Sequence, residues 1–163
     1  MIVRPATSKD EDRMTVVLEA SYSTLLRAHY TLSLLKSVLP VITKANSSLL
    51  ASGSYFVAQK NGEMIVGCGG WTPERPDNGE QEEGVGHIRR FAAHPDHTGD
   101  GVGRAIYEVC EAQARSGGVT RFEAYATLSA VGFYRALGFT SIERIDVRFA
   151  SFRCPSLKMV MNI

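Results

Sequence analysis

Apolar side chains recur at helical spacing along much of the chain. Met14, Val17 and Leu18 lie three and four residues apart, and they follow Ser8 and Glu11, whose spacing matches a capping box at a helix start. This pattern predicts a helix that begins just after Ser8. The other predicted helices cover 32–39, a further segment from Pro40 through Leu50, 102–116 before Gly117-Gly118, and 128–137 before Gly138.

Alternation with a period of two predicts strands. Segments 55–60 and 64–71 flank Asn61-Gly62, two residues that tolerate positive φ, so they are expected to form a hairpin. Residues 72–86 are rich in acids, Pro and Gly, which predicts an exposed loop. Further strands are predicted over 2–4, 87–93, 120–126, 142–149 and 157–161. This order of elements predicts a mixed α/β architecture.

Length, composition and charge narrow the class of protein. The 163 residues predict a single domain over 1–163, large enough to bury a core. Apolar residues make up 44% and charged residues 21%, which excludes wholesale disorder. The net charge of +1 gives no general attraction to nucleic acid or to an anionic membrane.

The cysteines and the N-terminus bear on the compartment. Cys68, Cys110 and Cys154 form no CxxC pair, so neither a disulfide framework nor a zinc site is predicted, and a reducing compartment is expected. The first residues lack the apolar segment of a signal peptide, and no apolar run approaches the ~18 residues of a membrane span. We therefore expect a soluble, cytoplasmic protein.

The segment from His94 to Ala105 carries the most specific pattern. It follows a predicted strand and opens a predicted helix, with glycine at positions 99, 101 and 103. Unpaired amides at a helix start can hold a phosphate group, although a tight turn without a ligand fits the glycines as well. A Walker loop needs Gly-Lys before Ser or Thr, and a dinucleotide fingerprint needs GxGxxG, so neither of these motifs fits.

This segment resembles motif A of the GNAT family of N-acetyltransferases. Ala93-His94-Pro95 matches the family's turn and Gly101-Val102-Gly103 its glycine core, while 130–139 (AVGFYRALGF) resembles its motif B. The Asn-Gly hairpin with Gly67 and the opening VRPAT also match, so the resemblance covers nearly the whole chain. It implies the GNAT fold, a mixed central sheet of about seven strands that is flanked by helices and splayed between the fourth and fifth strands.

The resemblance implies transfer of the acetyl group from acetyl-CoA to a primary amine, by direct attack in a ternary complex and without a metal. Loop amides would hold the coenzyme A pyrophosphate, amides near Ala93 would polarise the carbonyl, and Tyr134 would protonate the leaving thiolate. Tyr134 also fits a packed aromatic of the core. The positions implied for coenzyme A are Phe91, Ala92, Ala93, Thr98, Gly99, Asp100, Gly101, Val102, Gly103, Arg104, Thr127, Ala130 and Phe133.

Three positions depart from the family pattern. Thr98 stands where the family has Arg or Gln, Asp100 lies between the glycines, and Thr127 replaces a common Asn. The first two lower the local positive charge, so pyrophosphate binding would depend on backbone amides and on Arg104. The alternative function is a non-catalytic acyl-CoA-binding or regulatory module with the same fold. A tRNA-directed acetyltransferase is a third hypothesis that the net charge does not support.

The histidines suggest a catalytic base more readily than a metal site. The family often has a Glu near the start of its fourth strand, where this chain has His87, which titrates near neutrality and could accept the ammonium proton. The other interpretation is a histidine at a strand edge. His94 and His97 form HxxH on a turn without an evident third ligand, so no metal is predicted.

The acceptor cannot be identified from the sequence. A small metabolite amine, an antibiotic amine, and a protein N-terminus or lysine all remain candidates. Contacts are expected from 21–50 and from loop 72–86, whose acids either are merely solvated or attract a cationic substrate. Tyr22, Tyr30 and Trp71 either line an acceptor pocket or pack in the core. Many relatives of this fold are homodimers, and the sequence does not decide this point.

Overall fold

A computed structural model describes residues 1–149 and 151–163. Within them the strands are β1 Ile2–Pro5, β2 Tyr55–Lys60, β3 Met64–Thr72, β4 Val85–Ala93, β5 Arg121–Thr127, β6 Thr140–Phe149 and β7 Phe152–Asn162. The α-helices of the same residues are α1 Glu11–Leu25, α2 Leu32–Ile42, α3 Ser47–Ala51, α4 Val102–Ser116 and α5 Val131–Leu137. Short 3-10 turns precede α1, α4 and α5 and follow α1.

The strands form one mixed sheet in the order β1-β2-β3-β4-β5-β7-β6. β4 and β5 run parallel, and the other neighbouring strands run antiparallel. The parallel pairing covers Val85–His87 against Arg121–Glu123 and then stops, so the two strands separate toward their C-terminal ends. Helix α4 packs on one face of the sheet and α1 on the other. The predicted seven-stranded sheet, splayed between its fourth and fifth strands, is confirmed.

A bulge interrupts β4 just where the strands separate. Cys68 pairs with Ala92 and Gly70 with Arg89, so Arg90 and Phe91 together face a single residue of β3. Arg90 has a φ of 45°, a left-handed conformation that a non-glycine residue rarely adopts. Tyr55 Oη donates to the Arg90 carbonyl at 2.7 Å, and the Arg90 guanidinium donates to the Lys44 carbonyl at 2.7 Å. These bonds hold the bulge in place.

The start of α1 differs from the prediction. The capping residues are Thr7 and Asp10, one position before the predicted Ser8 and Glu11. The Asp10 carboxylate accepts from the Thr7 amide at 2.9 Å and from two guanidinium nitrogens of Arg4 at 2.7 and 2.8 Å. Asp10 is only 1% exposed, because this network turns its side chain inward and leaves Glu11 in solvent.

Pro40 does not begin a new helix, as the pattern had predicted. Helix α2 passes through Pro40 and ends two residues later at Ile42, and the separate short helix α3 begins at Ser47. Pro40 lies on the exposed side near the helix end, where water can satisfy the one carbonyl that loses its amide partner. The apolar spacing thus predicted helical structure on both sides of the break, but the second helix begins at Ser47 and not at Pro40.

The predicted loop 72–86 is shorter in the structure. Thr72 belongs to β3, and Val85 and Gly86 begin β4, because all three residues are buried in the sheet. The exposed connection is therefore 73–84. The β6–β7 hairpin is also longer than predicted, and the Asn61-Gly62 turn is confirmed, with φ of 48° and 86°. Among the described residues, no helix combines the length and apolarity needed to cross a membrane.

Candidate active site

A groove of about 560 Å³ lies where β4 and β5 separate. α1 forms one wall, the β4 edge lies at the base, and the loop before α4 and the start of α5 form the other wall. It brings together most of the residues implied for coenzyme A. Those that line it are Phe91, Ala92, Ala93, Thr98, Gly99, Gly101, Val102, Gly103, Arg104, Thr127, Ala130 and Phe133, together with Tyr134.

The glycine loop presents free amides to this groove. Gly99 and Gly101 have φ of 89° and 76°, and no atom lies within 4 Å of a Cβ added at either position. Backbone conformation, not crowding, therefore requires glycine here. Gly101 caps α4 and accepts from the Ala105 amide at 2.9 Å. The first amides of this helix have no intrahelical acceptor, so they can hold an anion together with the helix dipole.

Gly103 is required for a different reason. A Cβ at this position would lie 2.8 Å from Cε2 of Phe133. The small residue lets the Phe133 ring approach the first turn of α4, and the ring also contacts Phe91 with a centroid separation of 6.0 Å. Arg104 donates to the Ala136 carbonyl at 3.0 Å, which ties α4 to α5 beside the same contact.

Asp100 does not line the groove. Its carboxylate lies 2.6 Å from the Lys60 ammonium and 3.1 Å from Nδ1 of His97. Hydrogen bonds from Lys60 and, to a lesser extent, from His97 hold the pKa of the Asp100 carboxyl below its usual range. From the sequence alone, Asp100 is expected to reduce the positive charge of the loop. In the structure a lysine from the end of β2 compensates that charge.

Tyr134 combines a core position with a place at the groove. It is 6% exposed, and its ring packs against Phe133 and Phe139 with centroid separations of 5.1 and 5.3 Å. Burial raises the pKa of its hydroxyl well above the ordinary value. The hydroxyl makes no hydrogen bond to the part of the chain that the structure describes. It therefore stays protonated and can donate to a ligand.

His87 lies outside the groove. It is 2% exposed, and its Nδ1 is 3.9 Å from Glu123 Oε2, too far for a hydrogen bond. Neither ring nitrogen has a partner among the described residues. Burial lowers the pKa of His87, although the Glu123 carboxylate opposes this shift, so the imidazole is neutral near pH 7. The structure thus does not bring His87 into direct contact with Tyr134.

Several groove residues carried no recognised motif. Ser21 is 1% exposed, and its hydroxyl has no partner in the described chain although the side chain lines the groove. A serine on the apolar stripe of α1 was the signal available in the sequence. Tyr22 also lines the groove, with its hydroxyl 3.5 Å from the Phe91 carbonyl. The remaining lining residues are Leu25, His97, Ser129, Ala136 and Leu137.

The other two aromatic candidates pack elsewhere. The Tyr30 hydroxyl donates to the Pro155 carbonyl at 2.7 Å and accepts from the Leu128 amide at 2.9 Å. It therefore links the segment after α1 to β7 and to the turn before α5. Trp71 Nε1 donates to Gln113 of α4 at 2.9 Å, so its ring belongs to the α4 face of the sheet.

The acids of loop 73–84 are partly neutralised within the protein. Asp77 lies 3.3 Å from Arg75, and Glu82 lies 3.2 Å from Arg121. Glu74 accepts from Gln81 at 2.9 Å. These contacts weaken the field that could attract a cationic substrate.

The two histidines of HxxH have partners of their own. His94 Nδ1 accepts from the Asp96 amide at 3.3 Å, and His97 contacts Asp100. Across residues 1–149 and 151–163, no three His, Cys, Asp or Glu side chains form a group that could hold a metal ion.

A family model described as the acetyltransferase (GNAT) family matches residues 21–139, which is more than half of the chain. The chain belongs to the GNAT acetyltransferase family. The matched range contains the glycine loop of this GNAT protein, the split between β4 and β5, and Tyr134.

Solved structures of GNAT proteins share the fold of the whole chain. A GCN5-related N-acetyltransferase from Rhodopseudomonas palustris is 20% identical, with a TM-score of 0.82 over 99% of this chain and 95% of that one. The PaiA N-acetyltransferase of Thermoplasma acidophilum, in complex with coenzyme A, is 14% identical, with a TM-score of 0.74 over 99% and 98%. A GNAT acetyltransferase from Brucella melitensis, in complex with acetyl-CoA, is 20% identical, with a TM-score of 0.61 over 94% and 85%. The search of curated proteins found no match.

Proposed function

We propose that this protein is an N-acetyltransferase that moves the acetyl group of acetyl-CoA to a primary amine of a small molecule or protein. The whole chain, 1–163, would act as one catalytic domain. The observation that carries the proposal is the groove itself, which connects the free amides at the start of α4 to the Tyr134 hydroxyl. Structural neighbours with coenzyme A and with acetyl-CoA support the choice of donor.

The groove residues fit coenzyme A chemically. The amides of Val102, Gly103 and Arg104 offer donors for the pyrophosphate at the positive end of a helix dipole. β4 pairs with β3 at Ala92 and Ala93 but has lost β5, so the groove side of its backbone is free to bind an amide-containing arm. The unpartnered Ser21 hydroxyl adds a buried hydrogen-bonding group to the same groove.

Direct attack by the amine in a ternary complex agrees with the burial of the cysteines and with their positions outside the groove. Cys68, Cys110 and Cys154 are all buried and none lines the groove. Burial raises the pKa of Cys68 to about 11, so its thiol is a poor nucleophile at neutral pH. No cysteine in the described chain is therefore placed to carry the acyl group as an enzyme intermediate.

Acetyl-CoA supplies the acyl group as a thioester. Backbone amides near Ala93 would stabilise negative charge on the carbonyl oxygen while the new C–N bond forms and the C–S bond breaks. Tyr134 would give its proton to the departing sulfur. The raised pKa of the tyrosine suits this step, because a thiolate in the same desolvated groove is also more basic than in water.

His87 is proposed as the final acceptor of the ammonium proton. Its lowered pKa keeps the imidazole neutral, which is the form that a base requires. Because the ring is buried outside the groove, the proton would reach it through an intervening water. His87→Gln should then lower the rate most between the lowered pKa of the imidazole and the pKa of the amine, where His87 is neutral and the amine is still protonated. An unchanged pH–rate profile would remove His87 from the mechanism.

The proposal is tested by following thiol release from acetyl-CoA with a panel of amines. Turnover with at least one amine, together with loss of turnover in Tyr134→Phe, is the expected result. Binding of acetyl-CoA without thiol release from any amine would instead favour a non-catalytic acyl-CoA-binding or regulatory module.

A further inference from the structure

Arg89 lies on the face of β4 that leads from His87 to the groove. In the sheet register, Gly70 pairs with Arg89 and Thr72 with His87, so Arg89 and His87 project from the same face. Trp71 and Ile88 alternate with them and face α4 instead. Beyond the bulge, Ala92 pairs with Cys68 and so projects from this same face, where it lines the groove.

The guanidinium of Arg89 is partly buried, and the Glu74 carboxylate attracts it only from beyond ion-pair distance. Its Nη1 donates to the neutral Thr72 hydroxyl at 2.8 Å, and Thr72 is itself buried. No carboxylate within residues 1–149 and 151–163 forms an ion pair with it. A desolvated charge without a partner is unfavourable, and burial accordingly lowers the pKa of Arg89.

The neighbouring cations are compensated. Arg90 donates to the carbonyls of Ile42 and Lys44 at the end of α2, where the helix dipole is negative. Lys158 lies 3.3 Å from Glu123, and Arg75 pairs with Asp77. Among these four cations, Arg89 is thus the one whose charge is neither paired with a carboxylate nor placed at the end of a helix.

An independent observation points to a ligand at the same place. His87 is 98% buried, and neither of its nitrogens has a hydrogen-bond partner in the described chain. Buried polar atoms are rarely left unpaired unless water or a ligand completes them. A planar guanidinium beside such an imidazole is suited to a carboxylate, which can accept two parallel N–H bonds from arginine.

We infer that Arg89 binds a carboxylate of the acceptor, so that the amine acetylated by this protein is an amino carboxylic acid. This inference rests on the proposed acetyltransferase function. Gly70 and Cys68, the β3 partners of Arg89 and Ala92, are two residues apart, and two residues along a strand span about 6.6 Å. An amine held at Ala92 and a carboxylate held at Arg89 can therefore belong to one small molecule. Amines without an acidic group leave the Arg89 charge uncompensated.

The experiment compares each amino acid with its own carboxamide and its decarboxylated amine, using thiol release from acetyl-CoA. We expect wild-type kcat/KM to favour the acids by about tenfold or more. Arg89→Gln should remove this preference by raising the KM for the acids, while activity on the carboxamides is retained. Arg89→Lys, which keeps the charge, should retain part of the preference. Arg115→Gln on the exposed side of α4 is the matched control and should leave the preference intact.

Two outcomes would overturn the inference. One is equal use of acids, carboxamides and plain amines by the wild-type protein. The other is an equal loss of activity toward all three by Arg89→Gln, with acetyl-CoA binding and the melting temperature unchanged. If no amine is acetylated, the proposed function fails by itself. Calorimetric titration of the amino acids into the coenzyme A complex then tests the role of Arg89. Binding to the wild-type protein that is abolished in Arg89→Gln would support the carboxylate site, and absence of binding to the wild-type protein would refute it.

Discussion

The Lys60 ammonium lies 2.6 Å from the Asp100 carboxylate, and so connects the end of β2 to the middle of the glycine loop. His97 contacts the same carboxylate at 3.1 Å. An acid in a loop that holds a pyrophosphate would ordinarily repel the ligand. Here the acid is occupied by a lysine and a histidine, and it serves to fix the loop in place.

Lys60→Gln should therefore weaken acetyl-CoA binding. The substitution leaves Asp100 without its main cation, and the KM for acetyl-CoA should rise by about three- to tenfold at low ionic strength. Asp100→Asn in the Lys60→Gln background should recover most of the loss, because it removes the uncompensated charge. Steady-state kinetics of the two single variants and the double variant test this. Additive effects of the two substitutions would show that the pair does not act as a unit.

Tyr134→Phe should separate chemistry from binding. Loss of the hydroxyl removes the proposed proton donor, so kcat should fall by about 10²- to 10⁴-fold while the dissociation constant for acetyl-CoA changes little. The ring is retained, so the melting temperature should stay close to the wild-type value. Single-turnover kinetics beside a binding titration distinguish the two effects. A kcat within a factor of about two of wild type would exclude Tyr134 as the acid.

Tyr30→Phe should reduce stability. The hydroxyl makes two hydrogen bonds, at 2.7 Å to Pro155 and 2.9 Å from Leu128, and both backbone groups would lose a partner. The free energy of unfolding should fall by about 1–3 kcal/mol in urea denaturation. Tyr22→Phe is the matched control, since its hydroxyl contact of 3.5 Å is too long to contribute much. Equal stability losses in the two variants would contradict this role for Tyr30.

Asp10 should make stability fall in acid. Its hydrogen bonds with Arg4 hold its pKa well below the unfolded value of 3.8, so its stabilisation is complete above that value and is lost as pH falls below it. Asp10→Asn should cost about 2–4 kcal/mol near neutral pH, less than for a fully buried pair because Arg4 and Arg13 remain partly exposed. The difference in unfolding free energy between the two proteins should stay constant from about pH 7 to about pH 4 and then narrow progressively toward about pH 2. A difference that does not narrow below about pH 4 would show that the ionised carboxylate is not the cause.

Substitution by alanine should have different effects at two glycines near the groove, stabilising the protein at Gly132 and weakening acetyl-CoA binding at Gly103. A Cβ at Gly103 would meet the Phe133 ring at 2.8 Å, whereas nothing lies within 4 Å of one at Gly132 in α5. Gly132→Ala should stabilise the protein by about 0.5–1 kcal/mol through helix propensity. Gly103→Ala should gain nothing and should weaken acetyl-CoA binding by displacing Phe133. Thermal melts and a binding titration on both variants check this, and equal stabilisation without loss of binding would contradict it.

The fold and most of the residues that line the groove could be predicted because local patterns specify them. The Asn61-Gly62 turn, the glycines before α4 and the apolar stripes of the helices each involve residues close together in sequence. The errors occurred where a distant contact decided the outcome. Asp10 replaced Glu11 at the helix start because Arg4 reaches it from β1.

The acceptor side could not be predicted because it depends on register across strands. Alternate residues of a strand share a face, so His87 and Arg89 could be placed together from the sequence. The bulge that brings Ala92 back to this face, and the burial of His87 beside Glu123 of β5, follow instead from pairing with other strands. Likewise, the sequence does not show that Lys60, forty residues away, neutralises Asp100. The Asp100 carboxylate, whose partner Lys60 is distant in the sequence, is thus paired in the structure. The Arg89 guanidinium, in contrast, forms no ion pair with any of the residues that the structure describes.

The measurement that tests the central claim most directly is a thermal shift of the protein with acetyl-CoA, with ATP and NAD as controls. A ligand at 100 times its dissociation constant adds about 2.7 kcal/mol of stability, which should raise the melting temperature by several degrees. We predict this rise with acetyl-CoA alone. No rise, or an equal rise with ATP, would contradict the assignment of the groove between β4 and β5 to coenzyme A.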